Sequence, residues 1–307
     1  EVRVLIDSVG AAYSKPNMAD RLKKEGVPVA EFLPSRGRRF MRYANMRNHR
    51  KILVADGKTG FTGGTNIREG HCLGLEPAFP VQCLHFRVEG PVVAQMQEAF
   101  AIDWAFATGE TLAGPTWFPK LERCGPVGSR GIPDGPDEDL DKISEVLLGA
   151  LSAADRAVRI VTPYFLPDHS VQRALAVTAM RGVPVDILLP GHNNIGIMNW
   201  AVVPQLPFLL EKGCRVHFSA DPFDHTKLFV VDGVWSLIGS TNWDPRSLRL
   251  NFEYNLECYD ETLAGRLEAI IDDKLAAARP VSLAELEGRA LPIKLRDNAA
   301  RRLLPNL

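Results

Sequence analysis

Two periodicities of apolar residues take turns along the second half of the chain. Leu140, Ile143, Val146, Leu147, Ala150 and Leu151 recur every three or four residues in "LDKISEVLLGALSAA", the spacing of one helical face. The β-branched run "AVRIVTPYF" follows it and predicts a strand. The alternation continues with a helix opening near Asp168, a strand at "VPVDILLP", a helix around residues 204 to 213, and short strands at "CRVHFS", "KLFVVD", "WSLIG" and "NFEYNLECY". A last helix from Asp260 places Leu263, Leu267, Ile270, Ile271 and Leu275 on one face. Such alternation predicts an α/β domain, here over residues 139–279.

The first 122 residues repeat this order in part. "EVRVLID" matches "VPVDILLP", and "DRLKKEGVPVAEFLP" matches "FLLEKGCRVHFSA". Residue 1 then corresponds to about residue 184, and nothing in the first half answers to the helix, strand and helix of residues 140 to 182. The expectation is a duplicated fold whose first copy, residues 1–122, is truncated at its N-terminus. Between the copies, residues 123–138 read "RCGPVGSRGIPDGPDE", a Gly/Pro-rich stretch without apolar periodicity that predicts a linker. Residues 280–307 form a tail that mixes apolar side chains with Lys294, Arg296, Arg301 and Arg302 beside Leu303 and Leu304.

The repeat carries chemistry. "NHRKILVADGKTGFTGGTN" at 48–66 and "DHTKLFVVDGVWSLIGSTN" at 224–242 share His49/His225, Lys51/Lys227, Asp56/Asp232, Gly63/Gly239 and Asn66/Asn242, each pair 176 positions apart. Residues two apart on an extended strand point to one face, so base and cation are expected side by side. The glycines permit a tight return that brings each asparagine back beside its histidine. One imidazole can attack phosphorus, a lysine and an amide can hold the equatorial oxygens, and a second imidazole can protonate the leaving alkoxide. A single His-x-Lys is usually a solvated strand edge; recurrence of the whole set makes it a site. Asp56 and Asp232 end their strands and are expected to support that site, although Asp-Gly after a strand is more often a turn. His71, His85, His169, His192 and His217 have no matching partners and are expected to lie outside the catalysis.

The doubled spacing H-x-K-x4-D-x6-G-x2-N resembles the signature of the phospholipase D superfamily over nearly the whole chain. The stretches "HFRVEGPVVAQMQEAFAIDW" and "STNWDPRSLRLNFEYNLECYD" look most like bacterial cardiolipin synthases. The resemblance implies two α/β/α sandwich domains related by a pseudo-twofold axis, one shared site, and no metal or other cofactor. It implies catalytic roles for His49, Lys51, Asp56, His225, Lys227, Asp232 and Glu253, with His49 as nucleophile and His225 as acid, then base. Lys51, Asn66, Lys227 and Asn242 would bind the phosphate. Glu253, in "LNFEYNLE", fits the family's carboxylate that orients an imidazole, here expected to be His225. Its counterpart for His49 falls in "PVQCLHFRVEGP", where the family pattern has Asp and this chain has Cys83, with His85 two residues on. A thiol does not supply the carboxylate's charge.

The implied reaction is phosphatidyl transfer through a phosphohistidine, from one phosphatidylglycerol to another, giving cardiolipin and glycerol. The alternatives are a phosphodiesterase or nuclease of the same chemistry and a weakened lipid-binding homologue. With 36 basic against 37 acidic residues the net charge is -1, so no overall field draws the chain to nucleic acid, and nucleic acid is an unlikely partner. Five cysteines, odd in number and without a C-x-x-C pair, argue against a disulfide framework and fit a reducing cytoplasm. The most apolar region, "AVVPQLPFLL" at 201–210, is interrupted by two prolines and too short to span a bilayer. The expected placement is cytoplasmic and peripheral to the inner cell membrane, touching lipid through residues 195–210 or the tail, with a phospholipid substrate and no obligate protein partner.

Overall fold

The computed structural model describes residues 1–12, 15–34 and 45–303. In the first half the strands are β1 (Val4–Asp7), β2 (Val29–Phe32), β3 (Arg47–Asn48), β4 (Ile52–Ala55), β5 (Thr59–Gly63), β6 (Val81–Gln82) and β7 (His85–Glu89). The helices there are α1 (Ser8–Ala11), α2 (Met18–Lys24) and α3 (Val92–Thr108). The second half adds β8 (Gly128–Asp134), α4 (Lys142–Ala153), β9 (Val158–Val161), α5 (His169–Met180), β10 (Val185–Pro190), α6 (Gly196–Ala201), α7 (Leu206–Glu211), β11 (Arg215–Ser219), β12 (Phe223–Asp224), β13 (Leu228–Val231) and β14 (Trp235–Gly239). It closes with α8 (Pro245–Arg249), β15 (Asn251–Tyr259), α9 (Glu261–Ala276), β16 (Arg279–Pro280), α10 (Leu283–Glu287) and α11 (Leu291–Leu303).

The predicted alternation over 139–279 is present, and its boundaries have local causes. Asp168 caps α5 by accepting from the N–H groups of Ser170 and Val171, and Asp260 caps α9 by accepting from Leu263. The strands join in one sheet ordered β16-β11-β10-β9-β13-β14-β15, parallel among β9, β10 and β11 and antiparallel from β13 to β15. Side chains alternate between its two faces. Val158, Ile160, Ile187, Leu189, Phe229 and Val231 pack with Leu147 of α4, Leu175 of α5 and Leu209 of α7. Val161, Leu188, Leu228, Val230 and Ile238 pack on the other face with Met96 of α3 and Leu267 and Ile271 of α9. Burial on both faces explains why these strands read as continuous apolar runs.

In the first half β1 pairs β2 in parallel, and β4, β5 and β7 form an antiparallel sheet, the same partial order as β10-β11 and β13-β14-β15. No described strand bridges those two sheets as β9 bridges β10 and β13.

Two expectations need correction. The stretch 123–138 is not merely a linker: Gly128–Asp134 is a strand paired antiparallel to β15 from Glu253 to Tyr259. Its Gly/Pro composition hides it, because the pairing is dictated by the open edge of β15 and Ile132 alone enters the core. The tail also folds. α11 buries Asp297 and Ala300 toward α6, with Arg289 and Arg296 paired to Asp297 and Arg296 stacked over Trp200. Leu304 lies outside the described residues.

Candidate active site

Each histidine is delivered by a two-residue strand that pairs with the opposite half of the chain. β3, which leads into His49, runs parallel to the start of β15, and the His49 N–H donates to Phe252 O at 2.8 Å. β12, which leads into His225, runs parallel to β6, and the His225 N–H donates to Gln82 O at 2.7 Å. The crossed pairing brings both motifs to one place: the charges of Lys51 and Lys227 act on both imidazoles. The Lys51 ammonium donates to His49 O at 2.8 Å, and the Lys227 ammonium donates to His225 O and His225 Nε2, both at 2.9 Å.

The same crossing decides which carboxylate serves which histidine, and it reverses the expectation. Glu253 lies with both oxygens 2.8 Å from Nδ1 of His49, not at His225. β15 is the neighbour of β3, so its third residue faces the histidine that follows β3. Ser240 Oγ donates to Glu253 at 2.5 Å and Asn251 Nδ2 at 3.2 Å, which fixes the fully buried carboxylate. His225 instead has its Nδ1 2.8 Å from Gly64 O. Cys83, following β6, is the residue beside His225, its thiol donating to His225 O at 3.3 Å. Gly64 is obligatory here: a Cβ would lie 2.6 Å from Cys83 Sγ and 2.7 Å from His225 O.

The other predicted residues divide. Asn242 is buried, with Nδ2 donating to Ser247 Oγ at 3.0 Å and Oδ1 without a partner among the described residues. Asn66 is half-buried at the end of the equivalent return. Asp232 is not in the site. It sits in the turn after β13 at φ 57°, and its carboxylate accepts from the N–H groups of Asp155, Arg156 and Ala157. Asp56 occupies the matching exposed turn at φ 55°. A carboxylate that accepts from three amides holds the hairpin to the loop at residues 155–157. His71, expected to lie outside the catalysis, has its ring 5.7 Å from that of His225, edge to face. Tyr164 and Phe223 complete the aromatic wall around His225 at 6.0 and 5.9 Å.

Burial governs the electrostatics. It drives His49 and His225 well below the ordinary histidine value, with the two lysines adding to the effect, so both rings are neutral at neutral pH. It lowers Lys51 to about 8 and Lys227 to about 7, and it raises Glu253 against the pull of Lys51. The site therefore holds lysines whose charge an anion would restore, a histidine with a carboxylate on Nδ1 and Nε2 free, and a second histidine in contact with an acidified ammonium. That set suits nucleophilic attack on a phosphoryl group followed by proton donation to the leaving oxygen. Among the described residues no group of three or more His, Cys, Asp or Glu side chains is placed to hold a metal ion.

A family model described as "Cardiolipin synthase, PLD-like domain" matches residues 147–275. Over those residues the chain is similar to cardiolipin synthases with a phospholipase D-like domain. It is 34% identical over 310 aligned residues to the major cardiolipin synthase ClsA of Bacillus subtilis, with all of the chain and 64% of that relative covered. It is 31% identical to a cardiolipin synthase of Staphylococcus aureus, again over the whole chain and 63% of the relative. The chain thus spans less than two thirds of the length of these relatives. Among solved structures, a phosphatidylserine synthase of Haemophilus influenzae superposes with a TM-score of 0.76 at 16% identity, covering all of this chain and 82% of that one. The fold of that synthase is therefore shared along the whole chain.

Proposed function

We propose that the chain is a phosphatidyltransferase of the cardiolipin synthase type, converting two phosphatidylglycerol molecules into cardiolipin and glycerol through a phosphatidyl-histidine. The observation that carries this reading is the unequal support of the two histidines: a buried carboxylate on Nδ1 of His49, a backbone carbonyl and a lysine on His225. Glu253 holds the His49 proton on Nδ1 and leaves Nε2 as the nucleophile. Nε2 attacks phosphorus, the bond to the glycerol oxygen breaks, and that oxygen takes a proton from Nε2 of His225. Lys227, acidified to about 7 by burial and 2.9 Å away, is the source from which His225 acquires that proton. In the second step a hydroxyl of the acceptor lipid gives its proton to Nε2 of His225 while its oxygen displaces His49 from phosphorus. Lys51, Lys227 and the amides of Asn66 and Asn242 bind the phosphoryl oxygens throughout.

A two-chain lipid leaves a bilayer at a cost of about 0.8 kcal/mol per exposed CH2, so the reaction belongs at the membrane surface. Ile67, Leu73, Leu75 and Phe79, all exposed on the segment that follows Asn66, support peripheral attachment at the edge of the site. Leu291, Ile293, Leu295 and Leu303 of α11 offer a second apolar contact. Among the described residues no helix is long and apolar enough to cross a membrane. The placement proposed is peripheral to the inner cell membrane.

The test is product analysis with phosphatidylglycerol vesicles. Cardiolipin and glycerol in equal amounts, lost in His49→Ala, are expected. Phosphatidic acid alone would assign a phospholipase, turnover of a soluble diester or single-stranded DNA without lipid turnover a phosphodiesterase or nuclease, and binding without turnover a lipid-binding protein.

A further inference from the structure

The site contains a third imidazole that the duplication does not account for. Asn66 and Cys83 are 17 positions apart, whereas Asn242 and Glu253 are 11 apart, so the first copy carries a longer segment at this point. That segment turns into a short 3-10 helix at Glu69–His71. Gly70 seats the turn: a Cβ there would lie 2.8 Å from Phe79 O and 3.3 Å from a Val81 methyl, so glycine alone lets it close on β6. Since β6 pairs with β12, and β12 leads into His225, the His71 ring comes to stand 5.7 Å from the His225 ring at an interplanar angle of 69°.

Two features suit this ring to a polar ligand. Burial, then Arg68 and the two site lysines, push its pKa down to about 4, so it is neutral when the enzyme works near pH 7. Its Nδ1 is enclosed with no hydrogen-bond partner among the described residues, so the ring carries hydrogen-bonding capacity that no described protein group uses. A neutral imidazole beside the general base can take one hydroxyl of a molecule while the base takes its neighbour.

We propose that His71 recognises the second hydroxyl of a vicinal-diol acceptor, the group at the end of a glycerol headgroup, while His225 receives the proton of the attacking hydroxyl. This rests on the transfer reaction proposed above. The attacking oxygen forms its bond to phosphorus, the bond from His49 Nε2 to phosphorus breaks with its electron pair returning to Nε2, and the proton passes to Nε2 of His225. His71 takes no part in bond making; it selects and orients the acceptor. A site built to hydrogen-bond a hydroxyl discriminates strongly against an analogue that lacks it.

The experiment offers glycerol, propane-1,2-diol and propan-1-ol as competing acceptors, with phosphatidylglycerol vesicles as donor in one series and bis(4-nitrophenyl) phosphate in another. The readout is the ratio of diol to mono-alcohol products. His71→Ala is expected to lower that ratio about tenfold, and His71→Gln, which keeps a hydrogen-bonding group, to recover part of it. An unchanged ratio overturns the proposal, and so does a proportional loss of all products in both variants, which is what a purely structural seat for the turn would give. If the unsubstituted chain transfers from the soluble donor and not from phosphatidylglycerol, the lipid reading fails while the His71 ratio is still read. Absence of transfer to any of the alcohols from either donor overturns both.

Discussion

Glu253 of the second half bonds Nδ1 of His49 of the first, through both carboxylate oxygens at 2.8 Å. Neither half is a self-sufficient site, because the proposed nucleophile, His49, and the carboxylate at its Nδ1 reach each other through the pairing of β3 with β15. Glu253→Gln keeps the shape and removes the charge. A hydrogen bond to a charged group contributes about 1.5–3 kcal/mol, so kcat is expected to fall roughly 10- to 150-fold. A single-turnover measurement should place the loss in formation of the phosphohistidine, with KM little changed.

Cys83 stands beside His225, so restoring a carboxylate there acts on the proposed acid, His225, and not on the proposed nucleophile, His49. An added negative charge within reach of an imidazole raises its pKa. Cys83→Asp is therefore expected to raise the pKa of His225 and of Lys227, from which His225 takes its proton, and to move the alkaline limb of the kcat profile upward. An upward shift of the acid limb alone, the mark of an effect on His49, would show that the neighbour has been misassigned.

Phosphate binding should weaken as the pH rises. Lys227 and Lys51, lowered by burial to about 7 and about 8, are fully charged below that window and neutral above it. Inorganic phosphate or tungstate titrated by calorimetry at pH 6 and pH 9 should bind markedly more tightly at the lower pH, with proton uptake on binding between them. Lys227→Met should flatten the lower part of the dependence.

The doubled motif was legible because five residue types recur at one fixed offset, and the strands of the second half because both faces of that sheet are covered, leaving apolar runs in the sequence. What was not legible follows from pairing between distant strands. Spacing identifies β15 as the carrier of a carboxylate and says nothing of which short strand lies beside it, so Glu253 was matched to the wrong histidine. β8 has no alternation to read, since Gly128, Gly131 and Pro133 contribute little side chain to either face. His71 left a weaker trace, a histidine in the part of the first copy that is longer than its counterpart. That signal points to a site only once β6 and β12 are known to be neighbours.

Asp232 illustrates the opposite error, a residue of the motif whose work is architectural. Its backbone is held at φ 57°, where asparagine is tolerated and a β-carbon without a local hydrogen bond is not, and its carboxylate collects three N–H groups of residues 155–157. Those bonds also keep its pKa low despite partial burial, so the group is ionised at neutral pH and binds them as charge-assisted acceptors. Asp232→Ala should lower unfolding stability by about 1.5–3 kcal/mol, measured by urea titration. Asp232→Asn should cost less, since the amide oxygen still accepts. Because folded-state pKa is depressed, the contribution is present above the unfolded carboxylate value and is lost as pH falls toward the folded one, so the gap between Asp232 and the alanine variant should narrow below about pH 4. If alanine removed turnover at a temperature where the variant is fully folded, Asp232 would have to be returned to the site.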